Sequence, residues 1–275
     1  MKTAILFAGH LRTFEKCYEN HWHHIIKNND VDIFFYTSRQ DSHKIVTHSS
    51  GRRSKRKEKS NAIRQLHIYK NDDKRIEKLH ELYNPHLKAV YYEEEEYDYF
   101  NKYKPPRNID NYRKEEWDYF RTTQFKKVYY GFSKIEEYAE QNNIKYDYFV
   151  RMRSDMVFSQ RRGRTKGYNI DIEKIMTSRN DKHNIWTFGG WSVVPRRMTN
   201  GKALFDGFAL GTFENMRKYC ALYERTPDKA KAPFTPENQL ALHLNEQGLK
   251  IRYLNREWKR HFKHSIGRGY RLIRE

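Results

Sequence analysis

The sequence predicts an α/β fold in which a central, mostly parallel sheet is flanked by helices. A short continuous apolar run at residues 4–8, the pattern of a strand buried on both faces, is followed by strand-like runs at 31–36, 87–92 and 146–151. Between them lie segments whose apolar residues fall at helical spacing. The opening alone, residues 1–36, reads as strand, loop, helix, strand.

Each element follows from its local sequence. Residues 4–8, Ala-Ile-Leu-Phe-Ala, end at Gly9. Phe14, Cys17, Tyr18, Trp22, Ile25 and Ile26 then predict a helix, and residues 31–36 a second strand. Residues 38–60 are polar, basic and rich in Ser and His, which predicts a long mobile loop. Ile76, Leu79, Leu82 and Tyr83 mark a helix closed by Asn84-Pro85, and residues 87–92 form a third strand. Lys104-Pro105-Pro106 breaks the chain before a long helix carrying Trp117, Phe120, Val128, Phe132, Ile135 and Tyr138. Residues 146–151 give the fourth strand. Short strands are expected at 184–188 and 191–194, followed by a helix through Phe213, Met216, Tyr219 and Tyr223. Thr235-Pro236 supplies an N-cap and a first helical residue, and Gly248 closes that helix before a strand at 249–254. No internal repeat or linker composition interrupts the chain, so a single domain over residues 1–275 is expected.

Composition narrows the class. Only 37% of residues are hydrophobic, but 21 Tyr and 16 Phe supply large apolar faces, which excludes disorder of the whole chain. No apolar run approaches the ~20 residues of a membrane span, and residues 4–8 are too few for a signal-peptide core. A cytoplasmic protein without a membrane span is expected. Cys17 and Cys220 stand far apart, each in an amphipathic helical pattern, so no disulfide framework is expected. The net charge of +19 creates a field that gathers phosphates, nucleic acids or anionic surfaces. Much of the excess sits in clusters at 51–57, 161–166 and 256–274, which read as solvated loops and tails. Tyr interleaved with Lys over 97–112 offers a stacking surface for nucleic acid. Acidic residues crowd the same stretch and no nucleic-acid motif accompanies it, so nucleic acid is not the expected partner.

Two segments carry the chemistry. The first βα junction reads Ala8-Gly9-His10-Leu11-Arg12-Thr13. Ligands bind beyond the carboxyl ends of strands in such sheets, and backbone N–H groups at a helix start favour phosphate. Gly9 would let the backbone approach a ligand, and Arg12 would clamp a diphosphate. Neither a dinucleotide fingerprint nor a P-loop is present. The second segment, Tyr146-Asp147-Tyr148-Phe149-Val150-Arg151-Met152-Arg153-Ser154-Asp155, puts two arginines and an aspartate where a strand leaves the core. Asp155 suits a hard divalent cation between carboxylate and diphosphate, or an ion pair with arginine. Arg151 and Arg153 are expected to divide, one facing the ligand and the other a structural partner. A nucleotidyltransferase would need at least two clustered acids for two metals, and only Asp155 is evident.

The strand ending in Gly-His-Leu-Arg-Thr-Phe, the run Asp32-Ile33-Phe34-Phe35-Tyr36-Thr37, and Arg151-Met152-Arg153-Ser154-Asp155 resemble GT-A-type glycosyltransferases. The similar enzymes occur in bacterial surface-polysaccharide clusters and in large DNA viruses of the chlorovirus kind. Phe205-Asp206-Gly207-Phe208-Ala209-Leu210-Gly211 and Phe234-Thr235-Pro236-Glu237-Asn238 extend the likeness over nearly the whole chain. The resemblance implies a Rossmann-like GT-A fold, with a nucleotide-binding half of about residues 1–158 and an acceptor-side half of about 159–275. It implies a nucleotide-sugar donor, UDP- or GDP-linked, a glycan or glycoprotein acceptor, and a divalent cation, Mn²⁺ or Mg²⁺. The metal-binding triplet of such enzymes falls on Arg153-Ser154-Asp155, with arginine in place of the first acid and Asp155 as the metal ligand. Ala8, Gly9, His10, Leu11 and Arg12 would contact the nucleotide, Thr37 would lie near its base or ribose, and Gln124, Arg153 and Ser154 would face the donor. Asp206 is the candidate catalytic group, a base for the acceptor hydroxyl or an anchor for the transferred sugar.

Overall fold

The structure, a computed structural model, describes residues 1–46, 64–70, 72–93, 109–159, 169–178, 183–188, 204–224, 236–254 and 269–272. Strand β1 (Thr3–Ala8) leads to helix α1 (Phe14–His21), a π-helical turn (Trp22–Ile26) and β2 (Val31–Thr37). Then come β3 (Gln40–Val46), β4 (Arg64–Lys70), α2 (Asp73–Tyr83), β5 (Leu87–Tyr92) and the long helix α3 (Ile109–Gln141). β6 (Tyr148–Met152), β7 (Met156–Ser159), α4 (Ile172–Thr177) and β8 (Asn184–Thr187) follow. The remaining elements are β9 (Phe208–Thr212), α5 (Phe213–Cys220), α6 (Pro236–Glu246), β10 (Lys250–Tyr253) and β11 (Gly269–Leu272).

Seven strands form one sheet in the order β10-β8-β9-β6-β1-β2-β5. β9 pairs antiparallel with both neighbours, whereas β6, β1, β2 and β5 pair in parallel and so does β10 with β8. This is the α/β architecture that the apolar runs predict.

Helices cover both sheet faces, and strand alternation decides which residues meet them. Ile5, Phe7, Ile33, Phe35 and Val150 point to one face with Phe14, Ile25, Leu79 and Tyr83 from the α1–α2 side. Ala4, Leu6, Phe34, Phe149 and Ala209 point to the other, where α3, α5 and α6 bring Val128, Phe132, Met216 and Leu240. On that second face a Cβ at Gly131 would lie 2.9 Å from both Leu6 methyls and 3.0 Å from Tyr36 Cβ, so glycine lets α3 settle onto the sheet.

One expectation is overturned. Residues 40–46 belong to a hairpin with 64–70, paired antiparallel from Gln40↔Lys70 to Val46↔Arg64, rather than to a loop. Backbone pairing outweighs the polar composition that suggested a loop. The strand expected at 191–194, the basic clusters at 51–57 and 161–166, the Tyr-Lys stretch at 97–108 and the N-cap Thr235 lie outside the described residues. Cys17 and Cys220 are buried free thiols. Among the described residues, no helix is long and apolar enough to cross a membrane.

The α1 stripe hides a polar member. His21 is fully buried, with Nε2 2.6 Å from the Met156 carbonyl oxygen and Nδ1 2.9 Å from the Tyr83 hydroxyl. A carbonyl oxygen only accepts, so Nε2 carries the proton and Nδ1 accepts from Tyr83. Burial lowers the His21 pKa to about 4, against partial opposition from the Met156 carbonyl. The folded state therefore binds less proton than the unfolded chain between about pH 6.5 and 4, and stability falls as pH falls through that window. Denaturant titrations of the wild type and His21→Gln over this range are expected to show a shallower pH slope in the variant. Equal slopes would remove His21 as the source.

Candidate functional site

Because β1, β2, β5 and β6 run in parallel, their carboxyl ends share one edge of the sheet, and the reversed strand β9 begins at the same edge. The topology therefore gathers Gly9–Thr13, Thr37, Glu93, Arg153–Asp155 and Asp206 along one line, at the place where open α/β sheets bind ligands.

The turn after β1 is tightly specified. Gly9 N–H donates to the Tyr36 carbonyl at 3.0 Å, and its φ of +130° is a conformation that favours glycine. A Cβ there would meet nothing within 4 Å, so backbone angle rather than crowding requires the glycine. Arg12 holds a φ of +43°, uncommon for a residue with a side chain. Its carbonyl accepts from Arg75 Nη2, and the Arg75 guanidinium sits 5.6 Å from the centre of the Phe14 ring. The Ala8 and Leu11 side chains are enclosed in the core, so both residues offer a ligand backbone groups only.

The corner after β6 is stitched to this turn. The single Ser154 hydroxyl proton is shared between the His10 and Leu11 carbonyls, at 2.7 and 3.1 Å. Arg153 grips Asp155 side-on, Nε to Oδ1 and Nη2 to Oδ2, both at 2.7 Å. Arg12 Nη1 donates to Asp155 Oδ2 at 2.9 Å. The Asp155 side chain is 2% exposed, while those of Arg12 and Arg153 keep 25% and 22%. Burial alone would push the Asp155 carboxyl up. The two guanidiniums outweigh it and hold the group well below the usual carboxylate range.

Residues two apart along a strand share a face, but β6 ends at Met152, and leaving the strand separates the two arginines. Arg153 faces the edge. Arg151 is buried on the α5 side, where its Nη1 donates to the Asp206 carbonyl and its Nε has no hydrogen-bond partner among the described residues. Arg153 N–H donates to the Gly207 carbonyl at 3.1 Å, which ties the Asp206 turn to the same corner. The half-buried Asp206 accepts from Gln124 Nε2 on α3 at 2.7 Å. Gln124 and Asp206, assigned separately to donor and acceptor, thus form one pair.

At the end of β2, the fully buried Thr37 accepts from Glu93 N–H at 3.0 Å. Glu93 Oε2 accepts from Ser38 Oγ at 2.8 Å and from Lys127 Nζ at 2.5 Å, while its Oε1 is buried without a partner among the described residues. Sequence reasoning missed this cluster. Glu93 reads as the first of an acidic string, and nothing in the sequence singles out Lys127. The available signal was the i, i+3 spacing of Gln124 and Lys127, which puts both on one face of α3. His243, another polar helical residue, has Nε2 2.6 Å from the Lys218 carbonyl and belongs to the helix packing.

The metal expectation meets a specific obstacle. Both Asp155 oxygens already accept from guanidinium groups, and a cation added there would stand against two fixed positive charges. Among the described residues, no group of three His, Cys, Asp or Glu side chains is placed to hold a metal ion. Mn²⁺ or Mg²⁺ beside a diphosphate needs at least one carboxylate not already neutralised by cations, and Asp155, held by two guanidiniums, does not fit that role.

The chain matches no protein-family model and no curated protein.

Proposed function

We propose that this chain is a glycosyltransferase that moves a sugar from a UDP- or GDP-activated donor to a glycan or glycoprotein acceptor. The observation that supports the reading is the meeting of the Gly9–Thr13 turn, the Arg153–Asp155 corner and Asp206 at one carboxyl edge. Arg12 and Arg153 supply positive charge where a diphosphate leaving group gathers negative charge. Asp206, reachable and oriented by Gln124, supplies a carboxylate for the acceptor.

In the reaction, the bond between the sugar anomeric carbon and the diphosphate oxygen breaks, and a bond from the acceptor oxygen to that carbon forms. The nucleoside diphosphate leaves with the electron pair, and the acceptor's proton passes to a base. On inversion Asp206 is that base; on retention it orients the donor while the departing phosphate takes the proton.

A thermal-shift panel of UDP- and GDP-sugars tests the reading. One donor is expected to stabilise the protein by about 2.7 kcal/mol at a hundred times its Kd, with nucleotide release accelerated by acceptor glycans. A panel without a stabilising member, together with a steeply salt-dependent complex with DNA or RNA, would replace this reading by nucleic-acid binding.

A further inference from the structure

Building on the glycosyltransferase reading, we propose that Arg12 and Arg153, held in position by Asp155, bind the donor's diphosphate directly, without a divalent cation.

The arrangement is asymmetric in exposure. The Asp155 carboxylate accepts from both guanidiniums. The carboxylate lies at the bottom and the guanidiniums above it, at 2% against 25% and 22% side-chain exposure. An incoming anion therefore meets the arginines first, and an incoming cation meets two fixed positive charges before it reaches an Asp155 oxygen.

Arg153 uses its Nε–Nη2 side on Asp155, and among the described residues nothing accepts from Nη1. The end-on fork of Nη1 and the second Nη2 proton stays open, with the spacing that matches two phosphate oxygens. Arg12 is fixed from the opposite side. Its φ is positive, its Nη1 donates to Asp155, and Arg75 holds its carbonyl. A residue kept in an uncommon backbone conformation by a dedicated donor is a built feature. Asp155 thus acts as a positioning residue: it fixes two guanidiniums in advance of binding, so that less ordering cost falls on the ligand.

Isothermal titration of the full-length protein with UDP, GDP and inorganic pyrophosphate, first in EDTA and then in Mn²⁺, tests the assignment. UDP or GDP is expected to bind in EDTA, with an affinity that Mn²⁺ changes by less than about threefold, which is under 1 kcal/mol. Arg153→Lys keeps the charge but loses the fork, and is expected to weaken binding about ten- to a hundredfold. Nucleoside diphosphate binding that requires Mn²⁺ would overturn the metal-free assignment and leave the glycosyltransferase reading intact. Pyrophosphate binding in EDTA, without binding of either nucleotide, would keep the arginine site and discard the nucleotide-sugar reading. No binding of any of the three with or without Mn²⁺ would discard both. An unchanged affinity in a folded Arg153→Lys protein would remove Arg153 from the site, and the wild-type titrations do not depend on that variant folding.

Discussion

Asp155→Ala is expected to lower the unfolding free energy by about 3 kcal/mol, the lower end for breaking a buried ion pair by removing one partner. Asp155 accepts three guanidinium hydrogen bonds, and its loss leaves Arg12 and Arg153 facing each other without an intervening anion. The estimate stays at the lower end because both arginines keep contact with solvent and can relax outward. Asp155→Asn keeps the shape but loses the charge and points an amide donor at one guanidinium, so it should recover little. Guanidinium chloride or urea titration at neutral pH reads the effect. The sign with pH is fixed by the depressed folded-state pKa: the stabilisation is complete above the ordinary aspartate range near pH 4 and is lost only as pH falls through the still lower folded value. A loss below about 1 kcal/mol, the range of an exposed pair, would show that the corner is held by its backbone and Ser154 rather than by this carboxylate.

The same corner shows how far the sequence carried and where it stopped. The runs that became β1, β2 and β6 were legible because a strand buried on both faces has little freedom in its composition, and the edge strand β5 by its β-rich Val90-Tyr91-Tyr92. Their parallel pairing then brings Gly9 and Asp155 together, since both follow strands whose carboxyl ends point the same way. Alternation alone would have put Arg151 and Arg153 on one face, being two residues apart. They diverge because β6 ends at Met152, and Arg151 is taken by the Asp206 turn, 55 residues away, which β9 brings antiparallel beside β6.

Other features had no local signature. The β3–β4 hairpin escaped because Gln40–Val46 and Arg64–Lys70 are rich in polar residues and widely separated, so no short turn announces them. His21 was within reach: it falls seven residues after Phe14 and four after Cys17, on the same helical face, and both are fully buried. The guanidinium saturation of Asp155 was less accessible. Arg153 is two residues away in the chain, but Arg12 is 143 residues away, and only the tertiary fold brings the second arginine onto the same carboxylate.

On the glycosyltransferase reading, Asp206→Asn is expected to slow sugar transfer by about 10²–10⁴-fold if the enzyme inverts, the usual contribution of a positioned general base. Asparagine is nearly isosteric, and its amide oxygen can still accept from Gln124 Nε2, so the turn should persist. The turn is confined in any case: Arg151 donates to the Asp206 carbonyl, and a Cβ at Gly207 would overlap the Phe205 ring and lie 2.9 Å from Arg153 Cδ. Loss of transfer with an unchanged melting temperature would therefore report chemistry rather than collapse of the site. Donor affinity should change little, because the diphosphate falls to Arg12 and Arg153, so the effect belongs in kcat. Gln124→Leu provides the graded control. It leaves the carboxylate but removes the donor that orients it, and a smaller fall in kcat is expected. If Asp206→Asn retains transfer within about threefold, its carboxylate is not the base. If it instead loses donor binding in step with kcat, Asp206 anchors the sugar, as a retaining enzyme would use it.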